Sequence, residues 1–406
     1  LSLSSMSGLF RNRIVQAILL SAIFLQIGIW VRNFSVLLYV VEMTRGDAFA
    51  VSMVSVAEFA PIFVFSFLGG TFADRWRPKQ TMVWCDLFSA VSIFAVLLTI
   101  IFGSWKAVFF TTLFSAILSQ FSQPAGLKLF KIYVPAEQIQ TGMSIYQTIF
   151  AVFMVFGPVL GTFVYQIFGI QVAIAITGTA FLMSAAALLF LLPNRDISAD
   201  EITHSALLQE MADGIRYLFS KKVLTLLGAC FVAAGLGLGL IQPLGVFLVT
   251  ERLGLGKESL QWLVTFNGIG MIIGGVLAVS FARSVAPHKL LTLGMFVDSI
   301  GIAVSGISTT PWLTLTAQFC SGLVFPCISI GINTMILQNT ESRYVGRING
   351  ILSPLFTGAM VVTMGMAGLL KNSFPLVAIY EVAGILFIVG MMFILPLYRQ
   401  PVTTRE

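Results

Sequence analysis

The sequence predicts an all-α membrane protein of twelve transmembrane helices arranged as two six-helix bundles. Three observations carry the prediction. Of the 406 residues, 57% are hydrophobic and only 10% charged, whereas a water-soluble domain carries about a quarter charged residues. The apolar residues fall into about twelve runs, each near the roughly 20 residues that cross a bilayer. Features of the first half also recur roughly 205 residues later, the pattern left by two parallel structural repeats.

In chain order, the first run, 14–41, follows the basic start "LFRNR". It is too long for the apolar segment of a signal peptide and reads as a membrane helix. The second, 48–72, lies between "EMTRGD" and the charged stretch "ADRWRPK". The third and fourth, 80–103 and 106–127, meet at "GSWK". Only "FGI" separates the fifth, 139–167, from the sixth, 170–193. In the second half, breaks at charged or Gly/Pro positions bound 223–249, 259–282, 289–308, 312–337, 346–370 and 374–398. The expected organisation is a bundle over 1–193, a linker over 194–222 and a second bundle over 223–406.

The repeat shows in several echoes. Trp105 is answered by Trp312, "FLGGTFAD" by "IIGGVLAV", Pro124 by Pro326 and, loosely, Asp86 by Asp298. Both tryptophans fall at loop ends on one side of the membrane, where an indole suits the interface. The linker carries Leu207, Leu208, Met211, Ile215, Leu218 and Phe219 at helical spacing. That predicts an amphipathic helix along the membrane face, either a connector or a regulatory element.

Charge orients the chain. Of its 23 Lys and Arg, one alternate set of loops carries most, including Arg75, Lys79, Lys128, Lys131, Arg195, Lys221, Lys222, Arg283 and Arg347. The opposite loops carry only Arg45, Lys106, Arg252, Lys257 and Lys371. The positive-inside rule makes the first set, with both termini, cytoplasmic, in the cell inner (plasma) membrane. The net charge of +6 follows from those loops and does not indicate nucleic acid.

Other function classes find no residues. Cys85, Cys230, Cys320 and Cys327 lie in apolar runs without metal or disulfide spacing. There is no Gly-x-x-x-x-Gly-Lys phosphate loop. His204 and His288 fall in loops, so no catalytic triad or metal set forms within the spans. An enzyme, a cofactor and ATP-driven pumping are therefore not expected.

The stretch "GTFADRWRPK" places Gly70, Asp74, Arg75 and Lys79 between the second and third spans. With twelve spans in two halves, it resembles the loop motif of the major facilitator superfamily. It departs at Arg77, where a second Gly is usual, and at Pro78, where an Arg often follows. The resemblance implies a cytoplasmic latch, with Asp74 near the start of the eleventh helix and Arg75, Arg77 and Lys79 as partners. A helix N-terminus favours such an acid by about 0.3–1 kcal/mol. The alternative is that these basic residues only mark topology.

In the fifth span, "FMVFGPVLGT" resembles that superfamily's exporter and antiporter signature at Gly157, Pro158 and Gly161, with Thr162 in place of the last usual Gly. The fourth span, "AVFFTTLFSAILSQFSQPAG", lacks the Arg that many drug–proton antiporters carry there. A closer likeness, to macrolide exporters and enterobactin-type siderophore exporters, rests on "SQPAGLKLFKIYVPAEQI" and "ESRYVGRINGIL".

Ionisable groups inside the spans cost roughly 2.5–3.5 kcal/mol each even on lenient scales, so each needs a reason. Arg32 and Glu58 lie at matching depth, about 13–17 Å below the outer surface at ~1.5 Å per residue. They are expected to form an ion pair lining a central cavity, with Glu58 taking a proton during transport; the alternative is a static structural pair. Asp86 is expected to serve the inner latch beside Arg75, Arg77 or Lys79. Asp298 and Glu381 are candidates for a second proton site or a cation contact. Gln26, Asn33, Gln147, Gln242 and Asn267 are the sparse polar groups expected in a cavity of Phe and Met, a lining that repacks around varied ligands.

Together these features and the resemblance imply a secondary active transporter. It would be a monomer exporting amphipathic drugs or metabolites by alternating access with proton antiport. A siderophore or secondary-metabolite exporter and a lipid translocase are the alternatives on the same scaffold.

Overall fold

The structure, a computed structural model, describes residues 13–75, 77–100, 105–134, 136–191, 207–281, 285–341 and 344–399. Among them the chain is helical, without a strand. The first half opens with α1 (Arg13–Met43), α2 (Ala48–Arg75), α3 (Pro78–Ile100) and α4 (Trp105–Tyr133). A 56-residue run, Ala136–Leu191, then breaks at Gly169, whose φ of 72° is cheap only for glycine. It is therefore two helices, α5 (136–168) and α6 (170–191).

The second half comprises α7 (Leu207–Ser220), α8 (Lys222–Ile241), α9 (Leu260–Phe281), α10 (Pro287–Ile307), α11 (Pro311–Asn339), α12 (Val345–Ser373) and α13 (Leu376–Ile394). Ten described stretches are long and apolar enough to cross a membrane. One of them, Thr141–Phe190, has 50 residues. At ~1.5 Å each these run about 75 Å, against a hydrocarbon core of about 30 Å, so they make two crossings. With α4, the expected twelve spans are accounted for. The seventh, expected at 223–249, falls within the apolar stretch Lys222–Arg252; Pro243 removes a backbone donor, so the helical path continues past Ile241 through a 3-10 turn and ends in a π-turn at Leu248–Arg252.

Local chemistry sets the ends. After α1, Gly46 N–H reaches Val41 O at 2.8 Å and Arg45 N–H reaches Glu42 O at 3.2 Å. This is the paired C-terminal bond pattern that needs a left-handed residue, here Arg45 at φ 53°. Asp47 then caps α2, its carboxylate accepting Phe49 N–H at 3.0 Å.

Two compact units result, one built on α1–α6 and one on α7–α13, with Val51–Val56 grouped with the second. Their internal pairings correspond. α1 packs on α5 and α6, and α3 on α4 and α6; in the second unit α8 packs on α12 and α13, and α10 on α11 and α13. The sequence repeat is thus a repeat of helix contacts. Small residues permit a further close contact, of α9 with α11. On α9 and α11, a Cβ at Gly270, Gly274 or Gly322 would meet the backbone of Phe319, Leu323 or Asn267.

The linker helix α7 docks on α12. Tyr217 stacks on Tyr344 at 4.2 Å, and its hydroxyl accepts Glu341 N–H at 3.1 Å. Leu218 is buried while Ile215 and Phe219 are exposed. The expected single apolar face is therefore divided between the protein and its surroundings. The side chains of Leu207, Leu208 and Met211 lie outside the described residues.

Candidate functional site

In the first unit a buried Arg32 and a half-buried Glu58 are joined in a relay through the half-buried Asn33. Arg32 of α1, 4% exposed, donates from Nε and Nη2 to Asn33 Oδ1 at 3.0 and 2.9 Å. Its Nη1 donates to Ser115 Oγ of α4 at 2.6 Å. Asn33 Nδ2 in turn donates to Glu58 Oε1 of α2 at 2.5 Å. The expected direct ion pair between Arg32 and Glu58 is not made. The two charges attract each other, but the hydrogen bonds run through the carboxamide between them. A carboxamide offers a carbonyl to the cation and an NH2 to the anion, so one side chain satisfies both. Asn33, expected as a cavity group, is here the bridge between the two charges.

The Gly-Pro stretch of α5 holds that part of α1. A Cβ at Gly157 would strike the Trp30 ring, and one at Gly161 would lie 2.6 Å from Trp30 O and 2.8 Å from Phe34 Cβ. Trp30 and Phe34 stack at 6.0 Å, and Ser35 Oγ donates to Gly161 O at 3.4 Å. Pro158 is buried beside them. Glycines at these two positions let α5 touch the α1 segment that carries Arg32 and Asn33.

Asp86 departs from expectation. It is 3% exposed and accepts Ser184 Oγ of α6 at 2.6 Å; Ser184 meets Ser21 of α1 at 2.8 Å. It pairs with neither Arg77 nor Lys79. Lys79 Nζ instead donates to Leu189 O at 3.3 Å, at the end of α6, where a cation suits the helix dipole. Arg77 is exposed. Helix α2 runs through Gly70 and Asp74 to Arg75, but the side chains of Gly70, Asp74 and Arg75 lie outside the described residues.

In the second unit Asp298 of α10 faces Ser321 of α11, and Glu381 of α13 has one buried carboxylate oxygen without a partner among the described residues. Asn267 donates to Gln318 O at 3.1 Å and so ties α9 to α11. Gln26 is buried, while Gln147 and Gln242 are exposed. The partners that sequence reasoning misses are mostly serines: Ser115, Ser184 and Ser21. Nothing in an apolar run marks which serine faces a charge.

Paired units of long apolar helices, with charges held inside the first of them, are the build of a multi-pass membrane protein. The chain belongs to the Major Facilitator Superfamily, whose model matches residues 18–255 and 227–406. It is 25% identical to the uncharacterized MFS-type transporter YkuC of Bacillus subtilis, over 95% of this chain and 92% of that protein. It is 25% identical to the multidrug efflux pump Tap of Mycolicibacterium fortuitum (82% and 84% covered) and 23% identical to macrolide efflux protein A of Streptococcus pyogenes (83% and 84%). Among solved structures, a mutant of the nucleoside transporter NupG superposes with a TM-score of 0.77 at 14% identity, covering 96% of this chain and 100% of that one. That likeness concerns the fold.

Proposed function

We propose that the protein exports amphipathic drugs or metabolites from a bacterial cell by alternating access, driven by proton antiport. The observation that carries the coupling is the half-buried Arg32–Asn33–Glu58 relay. Protonating Glu58 removes the anion that Asn33 holds against Arg32, so the contact between α1 and α2 loses its electrostatic part. Substrate and proton then compete for the state in which the relay is closed. Gly157 and Gly161 contribute by seating α1 on α5 while α2 moves. Similarity to Tap and to macrolide efflux protein A supports export and an amphipathic substrate.

In this reading the bundles are 1–193 and 223–406, with 194–222 as their cytoplasmic connector and Asp74 as the inner latch. Both termini are cytoplasmic, the membrane is the inner (plasma) membrane, and the monomer is the working unit.

The test is accumulation of lipophilic dyes and macrolides in a bacterium stripped of its own drug pumps. Expression lowers accumulation, an uncoupler restores it, and Glu58→Gln restores it without uncoupler. Unchanged accumulation of every compound tried overturns the export reading.

A further inference from the structure

A second polar site lies in the first unit, apart from the relay. Asp86, Ser89, Ser119 and Ser122 line one small pocket between α1, α3, α4 and α6, walled by Leu25 and Phe181. The two donor pairs are each three residues apart on their helix, so each pair shares a face. Asp86 is 3% exposed, and among the described residues its one hydrogen-bond donor is the Ser184 hydroxyl at 2.6 Å. Among the described residues no Lys, Arg or His nitrogen comes within 4 Å of it. Ser122 is 7% exposed, and its Oγ has no partner among the described residues. Ser119 spends its proton on Ser115 O at 2.9 Å, which leaves its lone pairs for another group.

Each of these is costly on its own. A buried carboxylate without a counter-charge is strongly unfavourable, and a buried hydroxyl without a partner adds to that. One small cation answers both. We propose that this pocket is a sodium site, in which the Asp86 carboxylate and the hydroxyls of Ser89, Ser119 and Ser122 coordinate Na+. The donors are all hard oxygens, which exclude soft transition metals. A single carboxylate balances one positive charge, which favours a monovalent ion over Ca2+. Ser115, Ser119 and Ser122 follow one another at helical spacing on α4, so the sodium site and the Arg32 contact share a stripe of that helix. The inference does not rest on the export reading, because ion binding is measured without substrate.

The test is equilibrium binding of radioactive sodium to the purified full-length protein in detergent, at neutral and at alkaline pH. Thermal stability in NaCl is compared with KCl at equal ionic strength. The site predicts saturable binding at both pH values, displaced by unlabelled Na+ but not by K+, and a higher melting temperature in NaCl. Ser122→Ala weakens sodium affinity about five- to tenfold and leaves stability in KCl unchanged; Asp86→Asn abolishes binding. Should Asp86→Asn fail to fold, wild type and Ser122→Ala still decide. Absence of sodium binding in wild type at either pH overturns the proposal, leaving a carboxyl neutralised by a proton. Full-strength binding in both variants overturns it equally.

Discussion

Asn33→Ala should destabilise the first unit by far more than its size suggests. The substitution removes two hydrogen bonds accepted from Arg32 and one donated to Glu58. Hydrogen bonds to charged groups contribute about 1.5–3 kcal/mol each, which sums to about 4.5–9 kcal/mol. Arg32 keeps Ser115, however, and breaking buried charge pairs typically costs about 3–5 kcal/mol, so the smaller figure governs. At about 2–4 °C per kcal/mol for a unit of some 150–250 residues, the melting temperature falls by roughly 6–20 °C. The assay is a heat ramp on detergent-solubilised protein, with the monodisperse fraction read by size exclusion. The same substitution in an Arg32→Met/Glu58→Gln background leaves no charge to strand and should cost under about 1 kcal/mol. Equal losses in both backgrounds, or a wild-type loss below about 2 °C, would refute the relay.

Other contacts make further predictions. Gly161→Ala forces a methyl against the Trp30 carbonyl, so it should cost about 1–3 kcal/mol and lower dye export. Gly275→Ala, which meets nothing within 4 Å, should change neither; melting and export assays separate them. Tyr217→Ala removes the stack on Tyr344, worth about 0.5–1.5 kcal/mol, and should speed proteolytic cutting within 194–222. Tyr217→Phe, which loses only the hydrogen bond, should have a smaller effect. In a cysteine-free background, single cysteines at Lys221 and Lys371 should react with an impermeant thiol reagent from opposite sides of the membrane. Labelling of both from outside intact cells would sink the orientation.

The helices are legible in the sequence because crossing a bilayer demands length and apolarity, and both can be read along the chain. The separation of α5 from α6 at "FGI" is visible for a related reason: Gly169 takes a backbone angle that other residues avoid. Facing is not legible. Membrane helices are apolar on every side, so periodicity that locates the buried face of a soluble helix carries little signal here. Arg32 and Glu58 stand out at matching depth, but depth does not reveal that Asn33 stands between them. For Asp86, proximity in sequence to Arg77 and Lys79 suggests a latch, whereas its place on the turn of α3 aims it at Ser184. The extent of the seventh span is legible from its apolar composition, but the change from α-helix to a 3-10 turn at Pro243 and a π-turn at Leu248–Arg252 is not.

Substrate-dependent proton movement in sealed proteoliposomes tests the coupling role of the relay most directly. A pH-sensitive dye inside the vesicles should report proton flux when a lipophilic substrate is added to wild type. In Glu58→Gln that flux should vanish while substrate binding survives. Proton movement at the wild-type rate in Glu58→Gln would contradict the account.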